Sequence, residues 1–321
     1  MPVQALILAA GRGSRLGDSA HEVPKCLLEI GRRRLIEHQI DALADAGVGP
    51  VHLVVGYGAE EIREIVGMRV DYIVNTRWEQ TNSLYSFSLA GESIDSDVFL
   101  LNSDVLFAPE IIGRLLDQPG DALAIDGSSG QGREQMKIAA VDGRLIQMSK
   151  TLPVERSVGE NLGILKLTAE TFRSAQAHAA KLVTAGRENS WVGEAVNAVA
   201  AERDLRTVEV GDLPWVEIDF APDLQRARRE VWPQIVGGAY RRRRWSKLAG
   251  WLVGIGLVIG ALYVGATIPP PGASAPTEWE SLPMEALQPV QVDLPDHSQE
   301  WWLLPPGGVG RSKVSAPGSL R

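Results

Sequence analysis

Leu6-Ile7-Leu8-Ala9-Ala10-Gly11-Arg12-Gly13-Ser14-Arg15-Leu16, followed after a short loop by Pro24-Lys25, decides how this chain reads. The apolar run has the length of a buried strand, and it breaks into a glycine turn. Gly11 and Gly13 let the backbone turn tightly and approach a ligand with no Cβ in the way. Backbone N–H groups in such a turn, joined by Arg15 and Lys25, make a cradle for phosphates. Two glycines in a turn are weak evidence alone; strand, turn, arginine and Pro-Lys pair together are stronger. The third glycine of a dinucleotide-binding G-x-G-x-x-G is missing. Lys25 lies too far along for a Walker A loop, and no Gly-Lys-Ser/Thr exists.

Outward from that turn, strands and helices alternate. Gln4–Ala9, Val51–Val55, Val70–Val74 and Val98–Leu101 read as strands; Leu35–Ala46, Ala59–Val66, Leu84–Ala90 and the segment from Pro109 to Leu116 read as helices. The rhythm predicts an α/β domain with a Rossmann-like, mainly parallel sheet, whose ligands lie beyond the carboxyl ends of its strands. The Gly11 turn, Asn75–Asn82 and Ser103-Asp104 each follow a predicted strand, so all three converge on one crevice. Residues 121–167 differ. Ala122–Ile125, Lys137–Val141, Arg144–Met148 and Leu162–Leu167 are short strands between Gly-rich turns, read as a small β lid over roughly 121–160. Thr168–Val183 and Ser190–Ala201 read as helices, Arg206–Val210 and Val216–Asp219 as strands returning to the sheet, and Pro222–Val231 closes a domain of residues 1–235.

Asp104 ends an apolar strand. Glu217 and Asp219 are two residues apart, so on a strand they share one face. Three carboxylates in one crevice suit Mg²⁺, which takes oxygen ligands. Taken singly, each reads equally as a solvated acid at a strand end. The five histidines form no pair at helical metal-ligand spacing. Cys26 is the only cysteine, which excludes an intrachain disulfide and reads as a small buried hydrophobe.

Leu8-Ala9-Ala10-Gly11-x-Gly13-x-Arg15-Leu16…Pro24-Lys25 resembles the opening of the nucleotidyltransferases that make NDP-sugars and CDP-alcohols. Trp215-x-Glu217-Ile218-Asp219-x-x-x-Asp223-Leu224 resembles the signature near the end of their domain. The resemblance implies attack by a phosphate or phosphonate oxygen on the α-phosphorus of a nucleoside triphosphate, with pyrophosphate leaving. It implies catalytic roles for Arg15, Lys25 and Asp104, and Mg²⁺ on Asp104, Glu217 and Asp219. It implies nucleotide contacts from Leu8, Ala9, Ala10, Gly11, Gly13, Ser14, Arg15, Lys25, Thr81, Asn82 and Ser103.

The segment from Asn75 to Ser86 resembles the N-P-x-[YW]-x-x-T-N-N-x-x-S-L motif of the phosphocholine cytidylyltransferase-like branch, which implies CTP and an acceptor such as phosphocholine, 2-aminoethylphosphonate or a polyol phosphate. Thr76 stands where that motif has Pro, and Ser83 where it has a second Asn. A sugar-1-phosphate enzyme using UTP, GTP or dTTP therefore stays open, as does a non-catalytic, membrane-anchored nucleotide-binding scaffold. Lys150 resembles the branch's lid lysine, placed on the acceptor phosphate. Trp191 and Glu194 align with an aromatic and acidic pair on the acceptor side, suited to an amine; Trp191 reads equally as core. Glu217 belongs to the same acceptor side.

A net charge of −8 over 321 residues gives no global pull toward nucleic acid. Val3–Ala10 is too short, and lacks the basic flank, for a secretory leader. The composition changes at Arg241-Arg242-Arg243-Arg244, which precedes the uncharged, 21-residue run Leu248–Ile268. Such a run spans a hydrocarbon core of about 30 Å. The arginines then predict one inner-membrane helix behind a basic linker (236–247), with the N-terminal domain cytoplasmic and the tail on the far side. A membrane enzyme that consumes the product is the expected partner. Ten of the 19 prolines fall in residues 269–321, read as an extended or disordered tail.

Overall fold

In a computed structural model, which describes residues 2–13, 23–129, 132, 135–238, 288–293, 299–304 and 312–314, β1 (Gln4–Ala9) is buried along its whole length. Its alternate side chains enter two cores: Ala5, Ile7 and Ala9 one, Leu6 and Leu8 the other. That is the period of two of a strand covered on both faces. After β1 come a two-stranded ribbon, β2 (Glu29–Ile30) and β3 (Arg33–Arg34), then α1 (Leu35–Asp45), β4 (Val51–Val55), α2 (Ala59–Val66), β5 (Asp71–Val74), α3 (Ser83–Ser88) and β6 (Val98–Asn102). The Arg34 N–H donates to the Glu37 carboxylate at 2.8 Å, which starts α1. Ile36, Ile40 and Leu43 then turn one stripe of that helix into the first core.

β7 (Val105–Phe107), α4 (Glu110–Asp117), β8 (Asp121–Asp126), β9 (Lys137–Val141), β10 (Arg144–Ser149), β11 (Gly159–Leu167), α5 (Ala169–Thr184), α6 (Gly193–Glu202) and β12 (Leu205–Glu209) follow. The nine-stranded sheet has the order β5-β4-β1-β6-β11-β8-β12-β10-β9. Helices α1, α2 and α4 cover one face through residues such as Ile40, Ile62 and Ile111. Helices α3, α5 and α6 cover the other, where Phe87 and Phe172 meet edge to face at 5.5 Å.

The sheet departs from the expected pattern in its second half. β10 and β11 run against the other strands, so this half is largely antiparallel. The segment read as a lid over 121–160 is not a separate layer. β8 and β11 lie inside the sheet, and only the β9–β10 hairpin extends its edge. β11 serves both parts because its register shifts between Asn161 and Leu165. Gly163 takes φ +73 there, and a Cβ would lie 2.5 Å from the Asn102 amide nitrogen, so glycine is required.

Val216–Asp219 does not return to the main sheet either. β13 (Trp215–Glu217) pairs with β7 in a ribbon of its own. Leu106, Val216 and Ile218 pack it into a third core with Leu28, Ile30 and Val231. α7 (Ala221–Arg226) and a π turn (Ala227–Val231) close the domain.

The chain divides into two compact units, Met1–Arg243 and Arg244–Arg321. In the second unit, the tail read as extended or disordered carries a three-stranded antiparallel sheet: β14 (Gln288–Asp293), β15 (Gln299–Leu304) and β16 (Ser312–Val314). Its prolines leave room for this, because Pro289 lies on an edge strand and the others fall outside the three strands. Among the described residues no helix is long and apolar enough to cross a membrane. The expected membrane run, 248–268, lies outside the described residues, as do Ser14 and Arg15.

Candidate active site

Strand order reverses at β1: the chain passes through α1 to β4 on one side, and β6 flanks the other. Ligands of open α/β sheets bind beyond the carboxyl ends at such a point. A cleft of about 380 Å³ opens there. It gathers Leu8, Ala9, Ala10, Gly11 and Gly13 from the first turn, Lys25, Thr81 and Asn82, Ser103 and Asp104, Lys150, Trp191, Glu217 and Asp219. Gly13 has φ +68, and a Cβ on it would overlap the Lys25 side chain. A Cβ on Gly11 would meet nothing within 4 Å, so its missing side chain widens the cleft.

The β7–β13 ribbon brings the acids together. Glu217 is paired with Val105, and the Ile218 N–H donates to the Asp104 carbonyl at 2.8 Å. Asp219 therefore lies just past a strand, not on one. Its N–H and that of Phe220 donate to Asp223, at 3.1 and 2.7 Å. Asp223 thus fixes the backbone of Asp219 and starts α7. From the other side, buried Gln39 of α1 donates to the carbonyls of Asn102 and Val105, at 2.9 and 2.8 Å. It clamps both ends of the turn that carries Asp104.

Oxygens of Asp104, Glu217 and Asp219 lie within 4.8 Å of one another. The Lys25 ammonium sits 2.5 Å from Asp219 and 3.4 Å from Asp104. Burial disfavours that ammonium, but Asp104 and Asp219 outweigh it and hold its pKa above the ordinary value. Burial pushes Glu217 up to about 8, Asp104 and Asp219 add to the rise, and Lys25 opposes it. Asp104 is raised for the same reasons, with Lys25 pulling it down. With all three acids ionised, one ammonium would leave the cluster short of positive charge, and burial together with this shortfall is what raises Glu217 and Asp104. A divalent cation would supply that charge, and carboxylates are the hard oxygen donors that Mg²⁺ takes. Cys26, beside Lys25, is fully enclosed and pushed up to about 12, which leaves it an inert thiol.

At the other end, the loop after β5 is held by Asn75, which is 1% exposed. Its amide donates to the hydroxyls of Thr81 and Ser86, both at 3.1 Å, and its carbonyl oxygen accepts from the Arg77 N–H at 2.8 Å. Asn82 caps α3 and accepts from the Ser83 N–H. Trp78 lines the cleft beside this loop. Lys150 places its ammonium 4.1 Å from the centre of the Trp191 ring. Glu194 is elsewhere: it pairs with Arg187 and is not among the residues lining the cleft.

Sequence reasoning missed Gln39, Asn75, Trp78 and Asn197. Gln39 left a signal, as a polar residue on the apolar stripe of α1. Asn75 stood at the head of a recognised motif but without a role. Asn197, on α6, exchanges two hydrogen bonds with the backbone of Met148, at 2.8 and 2.9 Å, and nothing local marks that partner.

A glycine turn, a lysine and a carboxylate trio thus meet at the reversal point of this sheet. Residues 5–152 match the MobA-like NTP transferase domain. The chain is 43% identical over 133 residues to a CMP-5'-(3-aminopropyl)phosphonate synthase of Streptomyces rubellomurinus, covering 40% of this chain and 21% of that protein. It is 22% identical over 250 residues to a CTP:phosphoglutamine cytidylyltransferase of Campylobacter jejuni, covering 70% and 98%. It is 32% identical over 108 residues to a choline-phosphate cytidylyltransferase of Streptococcus pneumoniae, covering 33% and 46%. The chain thus spans about a fifth of the length of the first of these relatives and about half of the third. Among solved structures, the fold matches the CTP:phosphocholine cytidylyltransferase of Streptococcus pneumoniae with a TM-score of 0.60, at 21% identity, over 71% of this chain and 98% of that one. The inositol-1-phosphate CTP transferase of T. maritima gives 0.61, at 21% identity, over 73% and 96%.

Proposed function

We propose that the chain transfers a cytidylyl group from CTP to a phosphorylated or phosphonylated small molecule and releases pyrophosphate. The observation that carries this reading is the Lys25–Asp104–Glu217–Asp219 cluster, set directly beyond the β1 glycine turn. An acceptor oxygen forms a bond to the α-phosphorus, the bond from that phosphorus to the β-phosphate bridging oxygen breaks, and pyrophosphate takes the electron pair. The reaction needs in-line positioning and neutralised charge more than a strong base. Backbone at Gly11–Gly13, with Ser14 and Arg15, would hold the departing phosphates. Lys25 would place its charge on the transferring phosphate. Thr81, Asn82 and Ser103 would read the nucleotide, and Lys150 would hold the acceptor's phosphate or phosphonate. Asp104, Glu217 and Asp219 would hold Mg²⁺, which supplies charge stabilisation at the phosphates when bound. CMP, CTP or cytidylyltransferase in the names of the three sequence relatives above supports CTP over other nucleotides.

The sequence further supports a membrane address: Arg241–Arg244 before an uncharged run long enough to span a bilayer. The domain would then face the cytoplasm beside a membrane enzyme that uses its product. Full-length chain should stay with membranes through alkaline carbonate washing; release into the supernatant would remove the anchor from the account. The activity is tested by pyrophosphate release in Mg²⁺. Four nucleoside triphosphates are crossed with phosphocholine, 2-aminoethylphosphonate, phosphoglutamine, inositol 1-phosphate and glucose 1-phosphate. CTP with a phosphate or phosphonate of an amine or polyol should give release. Release only with UTP, GTP or dTTP and the sugar phosphate would overturn the reading.

A further inference from the structure

Trp191 lines the cleft near Lys150, where an aromatic face could receive a cationic acceptor. Two observations point elsewhere. The Lys150 ammonium itself lies 4.1 Å from the centre of that ring, at the distance of a cation–π contact. The acid expected to complete a cage, Glu194, is turned to Arg187. The two backbones that bring Lys150 and Trp191 together are each tied by a side chain. Asn197 accepts from the Met148 N–H and donates to the Met148 carbonyl, fixing the end of β10 two residues before Lys150. Ser83 accepts from the Val192 N–H at 3.0 Å, fixing the residue after Trp191. Ser83 opens α3 directly after Thr81-Asn82. The Asn82 and Leu84 N–H groups also donate to the carbonyls of Glu188 and Ser190, at 3.0 and 3.2 Å. The nucleotide-side loop and the Trp191 segment are therefore one hydrogen-bonded unit.

We propose that Trp191 is the seat of the Lys150 ammonium rather than a cage for the acceptor's own cation, and that Ser83 and Asn197 are positioning residues for this pair. The seat holds Lys150 over the cleft so that its charge is presented to the acceptor's phosphate or phosphonate. This assignment rests on the cytidylyl-transfer reading for its kinetic consequence but not for its geometry. A cage would discriminate among acceptors by the charge of their far end; a seat acts on the anion that every acceptor shares.

The kinetic test compares a cationic acceptor, 2-aminoethylphosphonate, with an uncharged-tail acceptor, ethylphosphonate, in full-length chain. Trp191→Leu should raise KM for both acceptors by the same factor, about three- to fivefold for a partly exposed cation–π contact. KM for CTP should stay within about twofold, and Trp191→Phe should recover most of the loss. Asn197→Ala should raise both acceptor KM values in the same way. Loss confined to the cationic acceptor would overturn the proposal in favour of a cage. A second readout needs no turnover. Lysines are reductively ¹³C-dimethylated in full-length chain in detergent, and the Lys150 signal is assigned with Lys150→Arg. That signal should be shifted upfield by the indole ring current, and should lose the shift in Trp191→Leu. An unshifted signal in the unsubstituted chain overturns the seat whatever the acceptor proves to be. A shifted signal without turnover keeps the seat and removes the activity.

Discussion

The two ends of the cleft are built by different means. At the carboxylate end, the functional groups sit on strand register: β7 pairs with β13, and Asp104, Glu217 and Asp219 follow from that pairing. At the opposite end, loops carry Thr81, Asn82, Lys150 and Trp191, and side chains tie them: Asn75, Ser83 and Asn197. Like charges within 4.8 Å repel, so they need a frame that cannot relax apart, and buried backbone pairing supplies one. A recognition surface needs shape, and loops on a rigid scaffold can supply different shapes without disturbing the sheet.

The comparison breaks most severely if the carboxylate end is dispensable. Asp104→Ala should lower CTP-dependent pyrophosphate release by about a thousandfold, while leaving the far-ultraviolet dichroism of the sheet intact. Retained activity would dissolve the distinction between the two ends.

The same end should respond to pH. Glu217, ordinarily a carboxylate with a pKa of 4.5, is held protonated up to about 8 by burial and its two acidic neighbours. A cation must displace that proton, so Mg²⁺ or Mn²⁺ affinity should rise with pH up to about 8 and then level, by at most about tenfold per unit for one proton. Without metal, the folded state prefers the protonated acid. Its contribution to stability is then present at low pH and lost as pH rises from the ordinary carboxylate range through about 8. Titration calorimetry with Mn²⁺ should show the affinity slope flatten in Glu217→Gln; an unchanged slope would assign the proton elsewhere.

The loop end should fail differently. Asn75→Ala removes the donor to the Thr81 and Ser86 hydroxyls and the acceptor of the Arg77 N–H, leaving Thr81 only its bond to the Arg77 carbonyl. It should raise KM for CTP by about tenfold and cost about 2 kcal/mol of stability, with a much smaller effect on Mn²⁺ affinity. A large change in metal affinity would show that the two ends are one unit. Gln39→Met is the finest of these tests. It removes both donors to the Asp104 turn but keeps the volume, so it should weaken Mn²⁺ binding a few-fold and lower stability by about 1–3 kcal/mol. Stability loss with metal affinity untouched would make Gln39 a core residue only.

The same division governs how much was legible in the sequence. The strand–turn–Lys25 stretch gave the first half of the sheet and the floor of the cleft, because short-range periodicity and glycine placement are local properties. Asp104 and Asp219 were legible through motifs. The way they meet was not, because Val216–Asp219 pairs with β7 across more than a hundred residues and not with the main sheet. The reversal of β11 was hidden for a like reason. Its strand character is local, but its neighbours are chosen by the bend at Gly163. Gln39 and Asn197 act through the backbones of distant residues, so no window of sequence around them contains the partner. Glu194 shows the converse: its spacing from Trp191 fitted a motif, and Arg187 seven residues away claimed it.

The most direct measurement is ³¹P NMR of full-length chain with CTP, Mg²⁺ and 2-aminoethylphosphonate or phosphocholine. The account predicts that the CTP signals give way, in equal amounts, to pyrophosphate and a new anhydride joining CMP to the acceptor, and that Asp104→Ala abolishes both. Unchanged CTP with every acceptor tried, or CMP and pyrophosphate without the anhydride, would contradict it.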